Sequence, residues 1–224
     1  MDRNDVDPFW EDPDVVEAFA SRPPDHRLQR LMEEVEDPSR FSVLDVGCAG
    51  GRNTLYLAQV GVDVRAVDAS AAMVDRTRAR LAEVLGAESA RERVRRGPMA
   101  DLGHVADGSM DLVVVLGVLH SARSLEEWNE AVSETRRILK PGGRALVSNF
   151  GPDSRPHGRP LAALDGEPDR YLWQEGRRMI LLDAARHDAA FAAHGFAPAE
   201  PTREVHVPLE DGYRVSINAL YTAG

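Results

Sequence analysis

The segment Val43–Asn53, VLDVGCAGGRN, has the residue types of a turn that cradles a ligand. Glycines let the backbone approach a bound molecule, and a helix opening here would offer unpaired N–H groups to polar atoms. A dinucleotide fingerprint needs glycine at 47, 49 and 52. The chain has Gly47, Ala49 and Arg52, so it departs at two of those three positions. Asp68 follows Gly47 by 21 residues, at the end of the run Val62–Val67. A carboxylate there can accept both hydroxyls of a ribose, which suits any adenosine cofactor. Asp101, in Met99–Leu102, could accept from an adenine amino group. Each signal alone has a plain alternative: a βα turn, a helix cap or surface acid, and a loop aspartate.

The elements that would position these residues alternate from about residue 41. Phe41–Val46 is a short apolar run, and Gly51–Val60 a helix closed by Gly61. Val62–Val67 reads as a second strand. Ser70 caps a helix through about Leu85, with Gly86 as its stop. Val94–Arg96 is a weak third strand. Asp111–Leu116, DLVVVL, reads as a strand buried on both faces of a parallel sheet. Ser124 and Glu127 form a capping box for a helix through Leu139. Pro141-Gly142-Gly143 is a turn before a fifth strand, Arg144–Phe150. Asp183–His194 is a last helix, and Glu204–Leu209 and Tyr213–Tyr221 are strands joined like a hairpin. This alternation predicts an α/β fold with a doubly wound, seven-stranded mixed sheet. Residues 1–40, two helices broken at Pro23-Pro24, form a helical cap. Residues 41–150 are the cofactor-binding core, and 151–182 a substrate-side insert rich in Pro, Gly and Arg. Residues 183–224 complete the core with the C-terminal helix and strand pair.

Composition narrows the function classes. The chain has 224 residues, 43% hydrophobic and 29% charged, which are globular values. The start, MDRNDVDPFWEDPD, lacks the apolar stretch of a signal peptide, and no run is long enough to span a membrane. One cysteine, Cys48, suits a reducing compartment, so the expected location is cytoplasmic. A net charge of −10 disfavours nucleic acid and anionic membrane as partners. Arg76, Arg78 and Arg80, with Arg91–Arg96, could bind RNA, but a solvated face salted with acids is the preferred reading. His187 and His194 share one helical face without a third ligand, so no metal site is expected.

Asp45–Gly51, Asp68, Asp101, DLVVVLGVLH and LKPGG together resemble the class I S-adenosylmethionine-dependent methyltransferases over residues 40–150. The loop is also similar to that of small tellurite-resistance-type and ubiquinone-biosynthesis-type methyltransferases. The resemblance implies a Rossmann-like methyltransferase fold with an antiparallel C-terminal strand. It also implies S-adenosyl-L-methionine as cofactor and S-adenosyl-L-homocysteine as product. The cofactor-binding residues it implies are Asp45, Gly47, Cys48, Ala49, Gly51, Asp68, Ala69, Met73, Asp101, Leu102, Leu116 and Gly117, with Arg22 on the cofactor carboxylate. Ala49 stands where the family has glycine, which costs little if its φ is negative. His120, after the fourth strand, is the candidate general base. Trp10, beside Phe9, and Tyr171 and Trp173 are candidates to wall the substrate. Cys48 reads as a small buried residue, not a nucleophile. The expected partner is a small-molecule methyl acceptor, with the protein a monomer or homodimer. The alternatives are an RNA or protein methyltransferase and a non-catalytic S-adenosylmethionine-binding protein.

Overall fold

Valine-rich segments too apolar for either face of a surface sheet organise the molecule into layers. The computed structural model describes residues 6–167 and 169–224. The strands β1 (Ser42–Val46), β2 (Asp63–Asp68), β3 (Val94–Arg96), β4 (Met110–Leu116) and β5 (Leu139–Phe150) are parallel. β12 (Gly212–Ala223) runs antiparallel to β5, and β10 (Phe196–Pro198) pairs antiparallel with β12. The sheet has nine strands, seven of them on the path β10-β12-β5-β4-β1-β2-β3, where unforeseen β10 takes a place and the expected strand at 204–209 lies off the path. Two further strands, β6 (Arg155–Pro156) and β11 (Arg203–Pro208), also pair with β12.

Alternation along each strand feeds two cores. Leu44, Val46, Val113 and Val115 meet Trp128 and Val132 of α6 (Leu125–Ile138) and Phe191 of α7 (Ala184–Ala193). Val43, Leu112 and Val114 face the other way. There they meet α2 (His26–Glu33), α3 (Arg52–Val60), α4 (Ala71–Leu85) and α5 (Ala87–Arg93) through Leu28, Leu57, Leu81 and Ala90. Each buried Val or Leu contributes roughly 1.5–3 kcal/mol, so these two layers carry the fold.

Several expectations change. The N-terminal segment does break at Pro23-Pro24, between α1 (Pro13–Ala20) and α2. However, α2 buries Leu28, Leu31 and Met32 under the sheet, so its apolar stripe makes it core rather than cap. Residues 1–5 of the expected cap lie outside the described residues. The insert is not merely loop. β7 (Ala162–Ala163), β8 (Arg170–Leu172) and β9 (Arg178–Ile180) form a separate antiparallel sheet beside Trp173, Met179 and Leu181. Strands of two or three residues are too short to show a period. β10 escaped notice for the same reason, and α5 because its seven residues bury only Ala90. Pro141-Gly142-Gly143 lies within β5, where the register with β4 slips between Met110 and Leu112.

The α4 arginines do not form a free solvated face. Arg78 donates twice to Val94 O (3.1 and 2.8 Å), and Arg80 reaches Ala20 O (2.6 Å) and Gly50 O (3.0 Å). Arg76 pairs with Glu17 of α1.

Candidate functional site

The carboxyl ends of β1, β2 and β4 open into one cleft. The loop after β1 makes its floor. Gly47, at φ 67°, lies so close to Val118 that a Cβ there would be 2.3 Å from Cγ2. Gly47 N and Cys48 N donate to Val67 O (2.8 and 3.1 Å), fastening the loop to β2. Ala49 has φ 49°, so the condition under which an alanine costs little here is not met. Left-handed backbone at a residue with a Cβ costs roughly 1–2 kcal/mol, and tertiary bonds must hold it. They do: Ala49 N donates to Asp68 Oδ2 (2.9 Å), and Ala49 O accepts from Thr77 Oγ1 (2.6 Å).

Two carboxylates flank this loop, Asp45 buried and Asp68 half-buried. Asp45 accepts from Thr54 Oγ1 (2.7 Å), and burial pushes its pKa up to about 7. Asp68 accepts from the backbone N–H of Ala49 and Ser70, both at 2.9 Å. Burial raises its pKa as well, against those two bonds. Neither has an ion-pair partner among the described residues. Burial, and then the nearby Asp68 and Asp45 carboxylates, push the Cys48 thiol well up, so it is no nucleophile.

An N-terminal strap closes one side. Glu11 accepts from the N–H groups of Ala71 and Ala72 (2.9 and 3.0 Å) at the start of α4. Although burial opposes it, those bonds hold the Glu11 carboxyl below its ordinary value. Ser70 Oγ donates to Trp10 O (2.8 Å), so Trp10 is latched over the cleft, edge-on to Phe19 (5.3 Å between ring centres).

Of the cofactor candidates, Asp45, Gly47, Cys48, Ala49, Asp68, Ala69, Leu116 and Gly117 line this cleft, and so does Trp10, a substrate-wall candidate. Other candidates do not. Gly51 is turned against Thr77 and caps α3. Met73 is fully buried on α4. Leu102 lies in the core, and its N–H is taken by Glu134 Oε2 (2.9 Å). Asp101 is exposed one residue away, and Gly97, Pro98 and Met99 line the cleft instead. Arg22 lies over the Phe19 ring (4.0 Å), while Arg52 takes the lining position beside Asp45. Tyr171 and Trp173 belong to the small core of the insert.

His120 is 3% exposed, stacks on Phe150 (4.1 Å) and does not line the cleft. Burial, then the Arg214 and Arg177 charges, hold its pKa down to about 3, so it is a weak base at neutral pH. His187 bonds Asn149 Nδ2 and the Tyr221 hydroxyl, each at 2.8 Å, within the α7 core.

The lining also includes Phe19, Asn53, Ser70, Ser121, Arg123 and Glu127, none of which the sequence singled out as ligand-facing. For Asn53 the signal was present, in the first turn after the glycine loop. Ser70 and Glu127 had signatures of helix caps, which conceal a second role.

Comparison with known proteins agrees with this arrangement. A family model described as a methyltransferase domain matches residues 44–147. Methyltransferase GfsG of Streptomyces halstedii is 26% identical over 63% of this chain and 49% of its own length. The ubiquinone biosynthesis O-methyltransferase of Bordetella avium is 28% identical over 55% of this chain and 48% of its own. The chain thus spans about half the length of these curated relatives. The crystal structure of magnesium protoporphyrin IX methyltransferase (ChlM) from Synechocystis PCC 6803, with bound SAH, shares the fold. Its TM-score is 0.62 at 21% identity, over 93% of this chain and 83% of that one.

Proposed function

The chain belongs to the class I S-adenosylmethionine-dependent methyltransferase family, and from that premise we propose that it transfers a methyl group from S-adenosylmethionine to a small-molecule acceptor. The observation that carries the reading is the pair of carboxylates, buried Asp45 and half-buried Asp68, which line the cleft on either side of a glycine loop without an ion-pair partner among the described residues. A shielded carboxylate without an ion-pair partner is costly, and a ligand with a ribose diol and an ammonium would add charge-assisted bonds to both. The cradle fits: the Gly47 position has no room for a side chain, so the backbone itself meets the ligand.

In this reading Asp68 accepts the ribose hydroxyls, and Asp45 pairs with the amino group of the methionine end. Arg52 takes the carboxylate of that end. Trp10, Met99 and Leu116–Val118 exclude water and fix the ligand's orientation. When bound, the cofactor supplies a sulfonium methyl open to in-line attack. The protein's share is alignment, which can lower a barrier by several kcal/mol. His120, held neutral and away from the lining, is not assigned as base.

A small acceptor suits a cleft covered by the latched strap. Arg76, Arg78 and Arg80, which an RNA would need, are already bonded to protein groups. No helix among the described residues is long and apolar enough to cross a membrane. The single cysteine suits the cytoplasm.

Calorimetry with S-adenosylhomocysteine tests the cofactor, with a dissociation constant of roughly micromolar order expected. Transfer of label from S-adenosylmethionine into a metabolite extract tests the acceptor class. Label appearing only in RNA or protein would refute the small-molecule reading.

The raised Asp45 gives a pH signature. Its folded pKa, about 7, exceeds the ordinary 3.8, so its contribution to apo stability is full below about pH 4 and is lost as pH rises through 7. Binding runs the opposite way, because the ammonium needs the ionised form. Affinity for S-adenosylhomocysteine should rise about tenfold from pH 6 to pH 8, and Asp45→Asn should flatten that slope. An equally steep profile in the variant would remove Asp45 from the role.

A further inference from the structure

Although the protein carries a net charge of −10, guanidinium groups gather beside the cleft. Three of them lie on phenylalanine faces: Arg22 over Phe19 at 4.0 Å, Arg177 over Phe9 at 4.3 Å, and Arg214 over Phe150 at 4.5 Å. They come from the α1–α2 connection, the insert and β12, so the tertiary fold brings them together. Phe9 and Phe19 both touch Trp10 (4.9 and 5.3 Å), which roofs the cleft. Phe150 stacks on His120, whose Cε1 is 3.9 Å from the point where a Gly117 side chain would begin, and Gly117 lines the cleft.

Neither Arg22 nor Arg214 has an ion pair or a hydrogen bond among the described residues. Their charges repel: burial, and then the Arg22 charge, hold Arg214 below the ordinary arginine value. Arg214 Nε is shut off from solvent without a hydrogen-bond partner among the described residues, and His120 and Asn149 are each only 3% exposed. Unpaired buried polar groups are costly, and like charges add repulsion. An anion resting on the arginines would relieve the repulsion and occupy the planar donor fork.

We propose that this cluster is the acceptor subsite and that it takes a small carboxylate-bearing molecule, its carboxylate paired with Arg214 under the field of Arg22 and Arg177. The inference rests on the methyltransferase reading and adds a substrate class to it. The cofactor's own carboxylate is a different anion: Arg52 lines its end of the cleft beside Asp45, whereas Arg214 extends from β12 over Phe150 and is not part of that lining. The seated carboxylate is an anchor, not the atom that receives the methyl.

The experiment is a saturation-transfer NMR titration of the full chain, at saturating S-adenosylhomocysteine, with benzoate, its neutral isostere benzamide, and phenyl phosphate. Benzoate should bind with a roughly millimolar dissociation constant, and benzamide at least about tenfold more weakly. Arg214→Met should weaken benzoate by about tenfold or more and leave the separately measured S-adenosylhomocysteine affinity unchanged. Arg214→Lys, which keeps the charge without the fork, should fall between, and it serves if the Met variant does not fold. Equal binding of benzoate and benzamide, or no binding of either, would overturn the proposal. So would preference for phenyl phosphate over benzoate, competition between benzoate and S-adenosylhomocysteine, or indifference to both substitutions. Absence of S-adenosylhomocysteine binding would instead count against the methyltransferase reading, and is observed in its own titration.

Discussion

Asp68→Ala should weaken S-adenosylhomocysteine binding by roughly 1.5–3 kcal/mol, on the order of ten- to a hundredfold, while leaving a folded protein. The loss has two sources. Charge-assisted hydrogen bonds to the ribose disappear, and so does the acceptor that holds Ala49 N at 2.9 Å. Without that bond, a left-handed alanine loses one of the restraints that keep the cradle in shape. The bond to Ser70 N goes as well, although Ser70 Oγ still caps α4 through Met73 N at 3.1 Å. Asp68→Asn separates the two sources, since it retains an acceptor for the loop without the charge. It should lose less than alanine and remain clearly weaker than the native protein. Calorimetry reads the affinity and circular dichroism the fold; a folded alanine variant with native affinity removes Asp68 from the cofactor assignment.

Gly50→Ala should destabilise the protein more than any other single methyl added to the loop. A Cβ there would lie 2.5 Å from Ala20 Cβ, 2.7 Å from Ala20 Cα and 2.8 Å from Ala20 N. Two of those neighbours are backbone at the end of α1, so no rotamer change relieves the overlap. Arg80 clamps the same two segments through Ala20 O and Gly50 O, so neither can withdraw without breaking a charged bond. Overpacking of this kind costs roughly 1–3 kcal/mol. For a chain this long that is a fall of about 2–10 °C in Tm. Moving α1 also moves Phe19, and with it the contact to Trp10, so S-adenosylhomocysteine affinity should fall in parallel. Ala20→Gly in the same chain should recover only part of the loss, because the backbone contacts remain. A Gly50→Ala protein melting within about 1 °C of the native one would show that the strap is not seated on the loop.

The parts legible in the sequence are those whose partners lie nearby along the chain. The turn after β1 and the carboxylate ending β2 sit on adjacent parallel strands, so one βαβ unit brings Ala49 N to Asp68. The alternating cores were legible because Val43–Val46 and Leu112–Val115 carry their faces in their own residues. Leu102 misled because its position in a motif said nothing of Glu134, which reaches its amide from α6. His120 misled because an imidazole at the carboxyl edge looks available until Phe150 is stacked on it.

From the order of its residues alone, this chain determined the doubly wound sheet, the glycine cradle and the two acids beside it, since backbone geometry and apolar period are local properties. Tertiary structure alone decided the positive φ of Ala49, the neutral His120 shut behind Phe150, and the meeting of Arg22, Arg177 and Arg214 from three separated segments. Protonation and charge repulsion depend on distance in space and on exclusion of water, and neither is encoded by spacing along a chain.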